Sequence, residues 1–311
     1  MSSIEAFNLT KRFKSTLAVD DLSFEVGSGE IFGLLGPNGS GKTTTIRMLS
    51  CLIAPSGGVA RVNGYDVVSD AVKVRGSVGV LTESPSLYER LSAIENMEFF
   101  SEAYGLKGTV KDSRIREVLE FFELWDRRNE RVGTYSKGMK QKLAIARSIV
   151  HRPAVVFLDE PTSGLDPKAA KDIRELMERL SKQEKRTILL CTHNMEDAER
   201  LCDRVMILRK GKSVATGSLE VLRGLLKATP ILEVKLAETS AGVIESVKRF
   251  ERVRKFTEHD QTLSLELDDP DGSVPDVVKC IVDAGGRVLS VNLHRSSLED
   301  TYLELLKERE K

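Results

Sequence analysis

Two kinds of apolar run alternate along the first two thirds of the chain. Residues 31–35, 154–158, 187–191 and 204–208 are short and continuously apolar, the pattern of strands covered on both faces. Segments 42–52, 167–182 and 195–202 follow with apolar positions three to four apart, as on one face of a helix. This alternation predicts an α/β layer built on a parallel sheet. The first 30 residues differ. Segments 4–9 and 18–26 have strand character around a turn and predict an antiparallel β subdomain at the edge of the main sheet. From about residue 88 to 150, segments 94–104, 113–122 and 138–150 carry helical spacing with no strand between them, and predict a helical lobe inserted in the α/β core.

The pattern changes near residue 228, where Ala228-Thr229-Pro230 ends one helix and opens new structure. Strands are expected at 231–237, 252–257, 261–267 and 287–293, and helices at 241–250, 274–284 and 298–307. Asp268-Asp269-Pro270-Asp271-Gly272 is a turn cluster between elements. The order βαββαβ, with one further helix, predicts a small α+β sandwich of the split βαβ, ferredoxin-like kind. Two domains are therefore expected, 1–227 and 228–311, and the length of 311 residues suits that division.

Composition narrows the classes. Lys and Arg number 47 and so do Asp and Glu, so nothing in the total charge calls for a polyanion, and no nucleic-acid partner is expected. The longest apolar stretches run four or five residues, where a spanning helix needs about 20. Met1-Ser2-Ser3-Ile4-Glu5 lacks the basic-then-apolar pattern of a signal peptide, so the chain is expected in the cytoplasm unless it docks on a protein that spans. Cys51, Cys191, Cys202 and Cys280 have no C-x-x-C spacing, which suits a reducing compartment and argues against a cysteine-based zinc site.

Gly36-Pro37-Asn38-Gly39-Ser40-Gly41-Lys42-Thr43 fits G-x-x-x-x-G-K-[ST] between an apolar strand and the start of a helix, the context that pattern requires. Glycines let the backbone of Gly36, Asn38, Gly39, Ser40 and Gly41 curl so that several N–H groups aim at one phosphate. The helix start through Lys42, Thr43 and Thr44 adds partial positive charge. Lys42 would reach the β- and γ-phosphates, and the Thr43 hydroxyl would ligate Mg²⁺. Phosphoryl transfer also needs a carboxylate for the metal and a group for the attacking water. Asp159 and Glu160, ending an apolar strand, would supply both. Neighbouring side chains on a strand face opposite ways, so the chain must turn at Glu160, and Pro161 supports a break there.

With these residues the sequence resembles the ATP-binding cassette (ABC) ATPases over about residues 1–225. Tyr135-Ser136-Lys137-Gly138-Met139-Lys140-Gln141 is similar to the family's signature, Ser163-Gly164-Leu165-Asp166 to its D-loop, and His193 to its switch histidine. Phe13 resembles in position the aromatic that stacks on adenine, and Glu83 stands where the family usually has a metal-contacting Gln. The signature departs from the usual Leu-Ser-Gly-Gly-Gln at Lys137 and Met139. Glu299-Asp300-Thr301-Tyr302-Leu303 resembles the tail of a branch that serves exporters.

The resemblance implies ATP and Mg²⁺ as ligands, with Asp159, Thr43 and Glu83 at the metal, and Glu160 and His193 at the lytic water. It implies head-to-tail pairing, as a homodimer or with a related cassette chain, in which Ser136 and Gly138 contact the partner's nucleotide, and it puts Asp166 of the D-loop among the nucleotide-binding residues. It implies a separate polytopic membrane subunit, so that the chain sits on the inner face of the cell membrane. Tyr88 and Leu91 could touch that subunit. The alternative is a soluble cassette ATPase acting on ribosomes or DNA. Such proteins resemble two fused cassettes or a cassette split by a coiled coil, and this chain has one phosphate loop and no long heptad run. His151, His259 and His294 have no catalytic context, and Arg209-Lys210-Gly211-Lys212 reads as a solvated hairpin turn.

Overall fold

Strands β1 (Ser2–Phe13) and β2 (Thr16–Gly27) pair antiparallel and turn Ile4, Ala6, Leu9, Leu22, Phe24 and Val26 to one core. β3 (Ile31–Leu35), buried at every position, leads through a loop to α1 (Lys42–Leu49). β4 (Gly57–Val62) and β5 (Tyr65–Asp66) return to the first sheet, whose order is β2-β1-β4-β5. α2 (Ala71–Ser77) and β6 (Val78–Leu81) precede the helical lobe of α3 (Ala93–Ala103), α4 (Gly108–Phe121) and α5 (Lys137–Ile149). Then come β7 (Val155–Asp159), α6 (Pro167–Lys182), β8 (Thr187–Thr192), α7 (Met195–Leu201), β9 (Arg204–Arg209), β10 (Lys212–Gly217) and the short α8 (Leu219–Leu225). The second sheet runs β10-β9-β3-β8-β7-β6, parallel from β9 to β6, with β10 antiparallel at its edge. One core joins both sheets through Ile46, Met48 and Leu49 of α1. The computed structural model describes residues 2–84, 86–225, 231–294 and 302.

The α/β layer and the inserted lobe match the pattern read from the sequence. The N-terminal strands do more than edge the main sheet: with β4 and β5 they form a separate four-stranded sheet. β4 escaped notice because only Ala60 and Val62 of its six residues are buried. α4 starts at Gly108 rather than 113, since its first turn is mostly exposed and carries no apolar period. α3 starts behind a capping box formed by Ser92 and Glu95. α1 stops at Leu49, short of 52, because Cys51 adopts a left-handed conformation (φ 57°). α6 and α7 are joined by a buried pair, Arg174 Nε to Asp197 Oδ1 at 2.6 Å, and the Thr162 hydroxyl donates to the other oxygen of Asp197. Removing one partner of such a buried pair costs about 3–5 kcal/mol.

The chain divides into two compact units, Met1–Leu219 and Glu220–Lys311. The division falls earlier than the expected 227/228. In the second unit β11 (Ile231–Leu236), α9 (Ala241–Lys248), β12 (Val253–His259), β13 (Thr262–Leu267), α10 (Pro270–Asp283) and β14 (Val288–His294) follow in the order βαββαβ. The sheet order is β12-β13-β11-β14, with each pairing antiparallel. Leu232, Val234, Leu263 and Leu265 pack against Val243, Val247, Val277 and Ile281 of the two helices. α10 begins four residues before 274, with Asp269 as its N-cap and a proline in its first turn. The junction at 228, the helix at 298–307 and the tail motif from Glu299 to Leu303 lie outside the described residues, Tyr302 excepted.

In the helical lobe His151 stacks flat on Tyr104, with ring centroids 3.6 Å apart, and its Nε2 lies 3.0 Å from the Val78 carbonyl. Burial lowers its pKa to about 4, so the folded ring is neutral. A depressed pKa means the unfolded chain takes up the proton first as pH falls. Stability is therefore full above about pH 6.5 and declines down to about pH 4. The His151→Gln variant should show a flatter loss of denaturation midpoint across that window than the wild type.

Candidate active site

Parallel strands deliver their carboxyl ends to one edge, and the register fixes which residues meet there. Leu35 lies beside Thr192 and Ile207, and Asp159 beside Cys191. The segments leaving β3, β7 and β8 thus start from one row.

The loop after β3 is shaped by backbone only glycine adopts cheaply. Gly41 has φ 108° and is the N-cap of α1, and a Cβ there would fall 2.7 Å from the Ala18 carbonyl. The Lys42 side chain folds under the loop, 6% exposed, and donates to Gly36 O at 2.6 Å and Pro37 O at 3.4 Å. Asn38, Gly39, Ser40, Gly41, Lys42, Thr43 and Thr44 line a cleft of about 480 Å³, with Glu83 and Glu160 in the same wall.

The turn required after Asp159 is present. β7 ends at Asp159, and Glu160 adopts a left-handed conformation (φ 51°), its N–H donating to Cys191 O at 2.9 Å. Glu160 Oε2 then lies 2.9 Å from His193 Nδ1, and Oε1 lies 3.5 Å from Lys42 Nζ. Asp159 is 2% exposed, and burial pushes its carboxyl above the ordinary range, opposed by a hydrogen bond from Thr43. Ser40 Oγ, Asp159 Oδ1 and Glu160 Oε1 are buried with no hydrogen-bond partner. Buried oxygens of this kind call for a donor or a cation. The Thr43 hydroxyl, hydrogen-bonded to Asp159, and the unpartnered Asp159 Oδ1 are a donor set that fits Mg²⁺, which takes one or two protein oxygens and fills its shell with phosphate and water.

The structure brings together Lys42, Thr43, Glu83, Asp159, Glu160 and His193, and leaves other expected residues apart. Phe13 ends β1, half-exposed beneath the Lys11 ammonium, and does not line the cleft, although its strand partner Thr16 does. Ser136 caps α5 by accepting the Met139 N–H, and Asp166 caps α6 by accepting those of Lys168 and Ala169. Neither these caps nor Gly138 line the cleft. They are tied to the strand ends from behind, through Gln141 Nε2 to Pro161 O at 2.8 Å and Lys137 Nζ to Gly164 O at 2.9 Å. Thr16, Leu17 and Ala18 also line the cleft without a sequence signal, and so does Lys210. Lys210 corrects the reading of a purely solvated turn. The β9–β10 turn is fastened to the phosphate loop, Gly211 N–H donating to Ser40 O at 3.0 Å. No local signal announces that contact.

Comparison with known proteins agrees with this geometry. The family profile described as ABC transporter matches residues 19–163. An uncharacterized ABC transporter ATP-binding protein of Bacillus subtilis, YhcH, is 34% identical, over 97% of this chain and 95% of that protein. The Nod factor export ATP-binding protein I of Burkholderia lata is 35% identical, over 98% and 97%. A dimeric ATP-binding cassette solved in a post-hydrolysis state bound to ADP and Pi is 26% identical, with a TM-score of 0.63 over 70% of this chain and 98% of that one. The fold and cleft are those of a nucleotide-hydrolysing cassette. The chain belongs to the ABC transporter family, as one of its ATP-binding proteins, and it hydrolyses ATP to power transport. No helix among the described residues is long and apolar enough to cross a membrane.

The Gly41→Ala variant would strain a left-handed position and meet the Ala18 carbonyl, at a cost of about 1–3 kcal/mol. Titration with a fluorescent ADP analogue should show nucleotide affinity roughly tenfold weaker or worse, with an unchanged far-UV circular dichroism spectrum.

Proposed function

We propose that this chain is the ATP-hydrolysing subunit of an exporter, working as a cassette pair beneath a separate polytopic membrane protein. The observation that carries the reading is the contact of Lys42, Glu160 and His193 at the mouth of the phosphate loop. The export-protein relative that spans nearly the whole chain supports the direction of transport, and the dimeric cassette structure supports pairing.

In this reading Lys42 exchanges its hold on Glu160 for the β- and γ-phosphates. Thr43 and Asp159 would hold Mg²⁺, with Glu83 standing where the family usually has a metal-contacting Gln, and the ion would supply charge neutralisation at the phosphate oxygens. Glu160 orients a water and accepts its proton as the water oxygen bonds to the γ-phosphorus. The bond from that phosphorus to the β,γ-bridging oxygen breaks, leaving ADP and phosphate. His193 is a positioning partner that fixes Glu160 through the 2.9 Å contact. Phe13 offers an exposed ring at the β2 end of the cleft for adenine. Ser136 and Gly138, remote from their own chain's cleft, reach the γ-phosphate held by the partner, with Asp166 at the junction. The second domain, 228–311, supports the pair.

Glu160→Gln keeps the shape of the base but takes no proton. With ATP it should accumulate as a dimer in sedimentation equilibrium, and its steady-state hydrolysis should fall at least a hundredfold. Lys42→Ala should neither dimerise nor turn over. A strict monomer for Glu160→Gln with ATP would remove the pairing.

Tyr88 and Phe99 present half-exposed rings packed edge to face at 5.2 Å on the helical lobe, next to Leu91. This face is the proposed seat of the membrane subunit. Purification of the tagged chain from membranes should bring with it a polytopic protein without a phosphate loop, and Tyr88→Asp should release it. Recovery of ribosomes or DNA instead would favour the soluble alternative.

A further inference from the structure

Lys210 occupies the turn between β9 and β10 in a left-handed conformation (φ 48°), is exposed, and lines the same cleft as Ser40, Gly41 and Lys42. The turn is clamped in place. Gly211 N–H donates to Ser40 O at 3.0 Å, and Gly211 O accepts from Asp20 N–H at 2.8 Å. Gly211 is also left-handed (φ 82°), and a Cβ there would fall 2.9 Å from the Ala18 carbonyl. The lysine is therefore carried on a fixed support, one residue from a direct bond to the phosphate loop.

The nearby cations have other commitments. Lys42 is held by Gly36 O and Glu160, Lys212 pairs with Asp20 at 3.2 Å, and Lys11 lies over Phe13. Lys210 makes no ion pair among the described residues. The charged residues in the cleft wall are Lys42 and Lys210 against Glu83 and Glu160, with the buried Asp159 close behind. A wall so balanced has no positive excess for a triphosphate, so each unpaired cation counts toward binding. Lys42 meets Glu160, the partner of His193, where the terminal phosphate belongs. Lys210 instead adjoins Gly211, which is bonded to Asp20 of β2 and packs against the Ala18 carbonyl.

We propose that Lys210 is a nucleotide-binding residue that contacts the phosphate nearest the ribose, and so holds ATP and ADP alike. This rests on the reading that Lys42 takes the terminal phosphates.

Calorimetric titration of the full chain with ATP and with ADP tests it, using Lys210→Asn and Lys210→Arg. Asn tolerates the left-handed turn and removes the charge, whereas Arg keeps the charge. The Asn variant should bind both nucleotides roughly 3- to 10-fold more weakly. The ratio of the two affinities should be unchanged, and the defect should shrink toward about 0.5 M salt. Its KM for ATP should rise while kcat at saturation is kept. The Arg variant should stay within about twofold of wild type. Wild-type affinity in the Asn variant overturns the proposal. So does equal loss in Asn and Arg, which would make the turn's shape rather than its charge responsible, and so does weakening of ATP alone. Lys42→Ala serves as the separate control. If that variant kept full ATP affinity, the reading of the terminal-phosphate end would be at fault instead.

Discussion

Glu160 meets both Lys42 and His193, and the arrangement depends on one backbone turn. A strand alternates its side chains, so Asp159 and Glu160 would face opposite sides of the sheet if β7 continued. The left-handed conformation at Glu160, held by its N–H bond to Cys191, swings the second carboxylate round to the side of the first. β8 lies between β3 and β7 in the sheet. The segments leaving the three strands therefore let Glu160 contact both Lys42 and His193 although they are far apart in sequence. Parallel pairing is what makes this possible, because it brings all three carboxyl ends to the same edge.

Around that contact the fold separates charge from solvent unevenly. Lys42 and Asp159 are almost fully buried, while His193 is open to solvent. Buried oxygens without partners on Ser40, Asp159 and Glu160 mark this part of the site as the place that gains most from a divalent ion and a donor such as water. Elsewhere the cleft wall adds a strand of the other sheet. β2 meets the β9–β10 turn there, joined by the bond of Asp20 to Gly211, and Gly211 ties the same turn to Ser40 of the phosphate loop. A nucleotide lying along the cleft thus touches elements from both layers of the first unit.

The signature segment has another role within its own chain. Gln141 and Lys137 reach the backbone at Pro161 and Gly164, while Ser136 spends its hydroxyl on capping α5. The helical lobe is thereby coupled to the loop that follows Glu160. Thr162 in that loop is fastened to the buried Asp197–Arg174 pair. Any shift of Glu160 on nucleotide binding has a hydrogen-bonded route toward α5, α6 and α7.

The sequence alone determined the α/β layer, the helical lobe and most of the side chains that meet where β3, β7 and β8 end, because those features are local. Continuous apolar runs mark buried strands, and Gly36 to Thr43 states its loop in eight adjacent residues. Even the turn at Glu160 was legible from two acids in succession before Pro161. β4 was not legible, since two buried side chains in six residues give no period. The start of α4 was hidden by an exposed first turn. Only the tertiary structure decided that Lys210 and Thr16 to Ala18 line the cleft, and that Phe13, Ser136 and Gly138 do not. The placement of Lys210 depends on a hydrogen bond between residues some 170 apart, Gly211 to Ser40, and no local pattern of side chains encodes such a bond.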